Sequence, residues 1–248
     1  MNSKSFWISI VAVVISFAGG FILANALNRN EMEGLRAENA RLKTGSGDLG
    51  ESESETTLSD DEIRQRIRDA EQNPTNFSFQ KNFGLALYRY AVIKKDAAML
   101  AEVEKILNRA RSLNEKDYDV LVALGNLQFD FGYFKKSNEG FVKAREYYAK
   151  ALQQNPKDVD VRTDLGMTYF LANPPQLEKA IAEFKMSLEN DPKHEKTLQF
   201  LTQSYIKTGN TQQAEIYLAR LKEINPQTPN LEDFQTQMAA EAGLTEKQ

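Results

Sequence analysis

Few side chains in this sequence have the type and spacing that chemistry needs. Its 248 residues include no cysteine and one histidine, His194. Without cysteine there is no disulfide, no thiolate nucleophile and no thiolate-ligated zinc. A single histidine allows no paired-histidine metal site, and a Ser-His-Asp triad would have to run through His194. That residue follows a proline in "NDPKHEK", which reads as a solvated loop or helix start. Carboxylates cluster at Asp60-Asp61-Glu62 and in "ESESE"; the first group caps a helix start and the second is solvated. "GSG" at 45–47 lacks the Gly-Lys-Ser/Thr ending and the preceding strand of a phosphate loop. "NFS" at 76–78 matches an N-glycosylation sequon, a short pattern that recurs by chance. The net charge is −4, with 31 basic and 35 acidic residues and no strong basic run, so nucleic acid is not an expected partner. These residues predict no enzyme, no cofactor and no metal.

The elements that would carry any function begin after a short tail, residues 1–5. Residues 6–27, "FWISIVAVVISFAGGFILANAL", carry no charge. As a helix they would span about 33 Å, enough for a ~30 Å hydrocarbon layer. Ala24-Asn25-Ala26 has the A-x-A form of a secretory cleavage site, but an export signal's apolar core is about 7–15 residues, shorter than this run. The length favours an uncleaved transmembrane anchor. Basic residues Arg29, Arg36, Arg41 and Lys43 follow it and Lys4 precedes it. Counting them places the C-terminal part in the cytoplasm, whereas the tail, apolar run and A-x-A layout are those of an export signal. The reading adopted is export, with the long C-terminal part outside the cytoplasm.

Ala12, Ser16, Gly20 and Ala24 recur every fourth position, a stripe that lets two membrane helices approach closely. Residues 28–43 continue as a helical stalk. With Met32 at heptad position a, Leu35 is d, Asn39 a and Leu42 d, while Glu31 and Glu38 at g oppose Arg36 and Lys43 at e. An Asn at a selects two strands, so the pattern predicts a parallel homodimer. Residues 44–58, "TGSGDLGESESETTL", are small and acidic with no aromatic. They read as a disordered tether of about 20 Å end to end.

From residue 59 the pattern is helical and interrupted at intervals by proline, in "QNPTN", "QNPKD", "NDPKH" and "INPQT". A recurrence of about 34 residues signals tandem helical repeats. The last unit, 195–228, carries Leu198, Leu201, Tyr205, Gly209, Ala214, Leu218, Leu221 and Pro226. The unit 159–194 carries Leu165, Gly166, Tyr169, Ala180, Phe184, Ser187 and Pro192, with two residues inserted at "NPP". Unit 118–158 carries Leu121, Leu124, Gly125, Gly132, Ala144, Tyr148, Ala151 and Pro156 with seven inserted. Unit 77–117 has Phe83, Gly84, Val103, Leu107 and Ala110, the same expansion, and Glu115 in place of proline. The expansions predict longer helices or a bulkier turn. Residues 59–72 read as the second helix of a degraded unit, and 230–243 as a helix that closes the stack's end.

These residues resemble the tetratricopeptide repeat family over 59–228, with 229–248 as capping helix and tail. The resemblance implies an all-α solenoid in which small residues (Gly125, Gly166, Ala144, Ala180, Ala214) mark close helix crossings. Larger ones (Tyr148, Phe184, Tyr169, Tyr205) would fill the spaces between units. It also implies a concave groove lined by the first helix of each unit at positions 2, 5, 9 and 12. Carried over, the last three are Lys81, Leu85 and Tyr88; Val122, Asn126 and Phe129; Thr163, Met167 and Phe170; and Gln199, Gln203 and Ile206. Four apolar side chains at position 12 predict an exposed patch that binds protein or peptide. Lys81 matches the lysine of a carboxylate clamp, but Leu85 stands where the clamp's Asn belongs, so that mode is not expected. Anchored bacterial repeat proteins of this build occur in envelope protein biogenesis and in cytochrome c maturation, where they present apocytochrome. The resemblance therefore implies a single-pass inner-membrane scaffold or adaptor, with regulation of an enzyme as the alternative of another class.

Overall fold

In the computed structural model the described residues are 59–228 and 231–245. The anchor, stalk and tether expected over 6–58, with the pairing they would support, lie outside them. Among the described residues there are ten helices and no strand: α1 Asp60–Gln72, α2 Phe77–Lys94, α3 Ala97–Leu113, α4 Tyr118–Phe134, α5 Asn138–Gln154, α6 Val159–Phe170, α7 Leu177–Asn190, α8 Glu195–Lys207, α9 Thr211–Ile224 and α10 Leu231–Thr245. No described helix is long and apolar enough to cross a membrane.

One turn recurs after each second helix. The amides of Asn76, Asp117, Asp158, His194 and Thr228 donate to the carbonyls of Asn73, Asn114, Asn155, Asp191 and Asn225, at 3.1–3.3 Å. Four of these turns hold proline at their second position, where its fixed φ suits the geometry. The fifth closes equally well with Glu115. Asn76, Asp117 and Asp158 then cap the next helix through their side chains, each accepting from the amide three residues on. These are the favoured N-cap types.

The extra residues of the expanded units lengthen the helices. α2, α3, α4 and α5 have 18, 17, 17 and 17 residues, against 12, 14, 13 and 14 in α6 to α9. The two residues at "NPP" enter the loop before α7, where Asn173–Pro174 is cis.

The chain forms two compact units, Met1–Arg109 and Ala110–Gln248, with the division inside α3. In the first, Ser59 and Glu62 form a capping box at the start of α1. The buried Gln80 of α2 donates its amide to the carbonyls of Ala70 at 2.6 Å and Asn73 at 3.0 Å, which ties α2 to the end of α1. Gly84 lies against Leu107, bringing α2 close to α3.

In the second unit, α4/α5, α6/α7 and α8/α9 are antiparallel hairpins and α10 packs on α8 and α9. Gly125 lies under the Tyr148 ring and Gly166 under the Phe184 ring; an added Cβ would come within 2.5 Å of either ring. Ala144, Ala180 and Ala214 are fully buried, as are Phe184 and Phe234. Small residues at the crossings and aromatic ones between helices thus follow the expected repeat logic, and α10 closes the end with Phe234.

Candidate binding surface

The first helices of the second unit, α4, α6 and α8, carry nine of the twelve residues expected to face a partner. Val122 and Asn126 of α4 and Gln199 and Gln203 of α8 are half-buried. The other five are core: Phe129 is 3% exposed, Thr163 0%, Met167 2%, Phe170 7% and Ile206 4%. In the first unit Lys81, Leu85 and Tyr88 are half-buried.

The exposed apolar row expected at position 12 is therefore not present in the second unit, and the contacts give the reason. Phe129 meets the Phe141 ring of α5 edge-on at 5.6 Å. Phe170 meets Phe200 of α8 edge-on at 5.5 Å, with the Lys207 ammonium 5.5 Å from its ring. These phenyl groups form the floor of the face rather than its contact layer. Asn126 also serves the interior: its side-chain oxygen accepts the Tyr148 hydroxyl at 2.8 Å. Burial pushes that hydroxyl's pKa well up, and the charges of Asp164 and Asp130 add to the effect.

A polar seam joins α6, α7 and α8. Thr163 Oγ1 lies 3.0 Å from Ser187 Oγ and 2.6 Å from Thr197 Oγ1, and all three residues are fully buried. Thr163 and Ser187 also donate to the Val159 carbonyl. His194 stands where Asn76, Asp117 and Asp158 cap their helices, yet makes no cap bond. Its Nδ1 reaches Thr197 Oγ1 and its Nε2 lies 3.2 Å from Asp160 Oδ1. It is a helix-start residue as expected, but only 20% of its side chain is exposed, which corrects the solvated reading. Its hydrogen bond holds the Asp160 pKa below the usual carboxylate value, against the opposing effect of burial.

The order Asp160–His194–Thr197 follows that of an acid, a base and a hydroxyl. Thr197 is fully buried, however, so the hydroxyl meets neighbouring repeats rather than a substrate. Beside it, Lys196 Nζ pairs with the buried Asp164 at 2.6 Å, again linking α8 to α6. Sequence reasoning missed this seam. Its trace is two hydroxyls and a carboxylate (Thr163, Asp164, Thr197) on two first helices, which sequence spacing alone does not bring together.

Cations over tyrosines line the outer joints. Arg145 of α5 and Lys179 of α7 lie 4.5 and 5.6 Å from the Tyr169 ring centroid. Lys185 of α7 lies 5.9 Å from the Tyr205 ring, which stacks on Tyr217 at 5.6 Å. The hydrogen bond to Tyr205 raises the Lys185 pKa. Glu195 gathers the far end, accepting from Gln199, Asn225 and Thr228. The face is thus carried on helices tied to their neighbours by charge-assisted contacts.

Residues 176–238 match the family model described as Tetratricopeptide repeat. No curated protein matches the chain. Among solved structures, PilW, described as a widely conserved type IV pilus biogenesis factor, aligns with a TM-score of 0.58 at 15% identity, over 89% of this chain and 86% of that one. A tetratricopeptide repeat protein from Parabacteroides merdae ATCC 43184 aligns with a TM-score of 0.56 at 18% identity, over 74% of this chain and 65% of that one. MamA 41-end from Desulfovibrio magneticus RS-1 aligns with a TM-score of 0.54 at 15% identity, over 68% of this chain and 86% of that one. At these identities the likeness is one of fold. Residues 176–238 thus carry the tetratricopeptide repeat match itself, and helix pairing and repeat spacing extend the same fold through the other described helices.

Proposed function

We propose that the chain is a non-catalytic scaffold or adaptor that holds a protein or peptide on the first-helix face of its second unit. The observation that carries this is the layering of that face. A buried, internally bonded floor (Thr163, Met167, Phe170, Ile206) supports a half-exposed row of Val122, Asn126, Gln199 and Gln203. Side-chain amides on a rigid base suit the reading of a peptide backbone, and Val122 adds an apolar anchor. The apolar run 6–27 supports an anchored form of this scaffold, working in envelope protein biogenesis outside the cytoplasm.

Site-specific photocrosslinking in cells tests the face. A photoreactive residue at Val122 or Gln203 is expected to yield discrete partner adducts. The same probe at Met186 of α7 or Ile216 of α9, 43% and 47% exposed, is expected to yield none. Adducts from the second-helix positions alone would overturn the proposal. Alkaline phosphatase fused after Gln248 tests the location: activity is expected, and an inactive fusion would place that end in the cytoplasm.

A further inference from the structure

Two hairpin tips break a local backbone rule. Three of the tips close in one way. The amides of Lys95, Lys136 and Gly209 donate to the carbonyls of Val92, Tyr133 and Ile206, and those of Asp96, Ser137 and Asn210 to Ala91, Gly132 and Tyr205. This closure holds one residue in the left-handed region, with φ 55° at Lys95, 49° at Lys136 and 72° at Gly209. Glycine takes that conformation freely, whereas a lysine is strained in it. Strain kept where glycine would relieve it points to a use for the side chain.

The two lysines stand in matching surroundings. "VIKKD" at 92–96 and "YFKKS" at 133–137 each set an apolar residue before a lysine pair, whereas the other two tips read "LANPP" and "KTGNT". Ile93 and Phe134 are 55% and 54% exposed, and the four lysines are exposed. Both tips belong to long hairpins: α4 ends at Phe134, nine residues beyond Gly125, whereas α6 ends at Phe170, four beyond Gly166. Tyr133 packs edge-on against Phe134 at 5.7 Å, and Lys94 and Lys135 lie 5.6 and 4.5 Å from the Tyr90 and Phe131 rings. The acids that follow are engaged. Asp96 accepts from the amides of Ala98 and Met99, and Glu139 from Lys143 at 2.8 Å. Each tip thus keeps a positive excess in a chain of net charge −4. Complementing the helix dipole accounts for Lys94 and Lys135, but not for the strained second lysine or the exposed apolar residue.

We propose that these tips rest on an anionic lipid surface, with the lysines facing phosphate groups and Ile93 and Phe134 entering the headgroup boundary. A protruding apolar side chain beside lysines on flexible stems fits a surface of no fixed geometry. A folded acidic partner would call for a shaped, complementary face. Proximity to a bilayer rests on the anchored form proposed above, which also makes each weak tip contact an intramolecular one.

Trp7 is the one tryptophan of the sequence, so moving it makes the test direct. The full chain carrying Trp7→Phe and Phe134→Trp is reconstituted into vesicles with acyl chains brominated near the headgroup. With phosphatidylglycerol, fluorescence is expected to fall about twofold below its level in neutral phosphatidylcholine, and to recover in about 1 M salt, where the screening length is ~3 Å. With Met186→Trp as the probe, the two lipids are expected to give equal signals. Adding Lys135→Gln and Lys136→Gly is expected to abolish the anionic quenching while the melting temperature rises, because glycine relieves the strain. Equal signals from the Phe134→Trp probe in both lipids overturn the proposal. So does quenching that survives the loss of both lysines, or capture of a polyglutamate peptide without quenching by lipid. Flotation on neutral vesicles reads the anchor separately. A chain that does not float there, yet is quenched by phosphatidylglycerol, loses the anchored form and keeps the tip contact. One that floats without anionic quenching loses the tip contact alone.

Discussion

The α4/α5 and α6/α7 hairpins solve one packing problem at two lengths. Each crosses a glycine under an aromatic ring, Gly125 under Tyr148 and Gly166 under Phe184. The longer hairpin, with 17 residues in each helix, makes a second crossing near its tip, where Gly132 meets Gly140. The shorter one ends in the loop at Asn173–Pro174, and Asn138 of the longer hairpin bonds the Asn173 backbone at both its amide and its carbonyl. The difference shows that the place of an insertion decides its structural outcome. Seven residues spread over two helices extend the packing and demand another close contact, whereas two residues placed at a turn stay in the loop.

Substitutions at the two crossings sharpen the comparison. Phe184→Ala empties a fully buried site and is expected to cost about 4 kcal/mol in chemical denaturation. Gly140→Ala follows, at about 3 kcal/mol. Its new Cβ would lie 2.3 Å from the Gly132 nitrogen, a backbone atom that no rotamer change can move. The short hairpin has no such contact, so a Gly140→Ala variant as stable as the parent would remove the second crossing from the account. Tyr148→Phe isolates what the long hairpin's ring adds over Phe184, the hydroxyl bond to Asn126; about 1 kcal/mol is expected.

Smaller effects separate the turns that precede α6 and α8. Asp158 caps α6 and also accepts the Tyr118 hydroxyl, so Asp158→Ala is expected to cost about 1–2 kcal/mol. Burial first, then that bond, raises the Tyr118 pKa. At the other turn, His194 holds Asp160 below its usual pKa. The unfolded chain titrates this group near pH 4, so its contribution is complete above about that value and fades as pH falls through the lower folded value. Asp160→Asn should therefore flatten the acid limb of a melting-temperature profile below about pH 4 and leave the rest of the profile parallel. An unaltered acid limb would show that the seam's bond to Asp160 is not made in solution.

Much of this fold was legible because repeats restate their own rules. Proline after a second helix, a small residue at each crossing and an aromatic one turn away recur at a spacing that needs no structure to see. The ligand-facing row was less legible, for a physical reason. Position 12 carries Phe129, Phe170 and Ile206, which are apolar whether they line a groove or support it. Only the aromatic partners Phe141 and Phe200, far away in sequence, decide between the two. The Thr163–Ser187–Thr197–His194 seam was hidden for the opposite reason: three hydroxyls on three helices resemble surface residues until packing brings them together.

In the proposed function the half-exposed row, and not the second-helix surface, binds the partner. Once a crosslinked partner is in hand, its affinity for the Val122→Asp/Gln203→Asp protein should be compared with that for Met186→Asp/Ile216→Asp, with all melting temperatures measured. At least a tenfold loss of affinity is expected for the first pair and no change for the second, at unaltered stability. Undiminished binding by the first pair together with a loss from the second would contradict the proposed function.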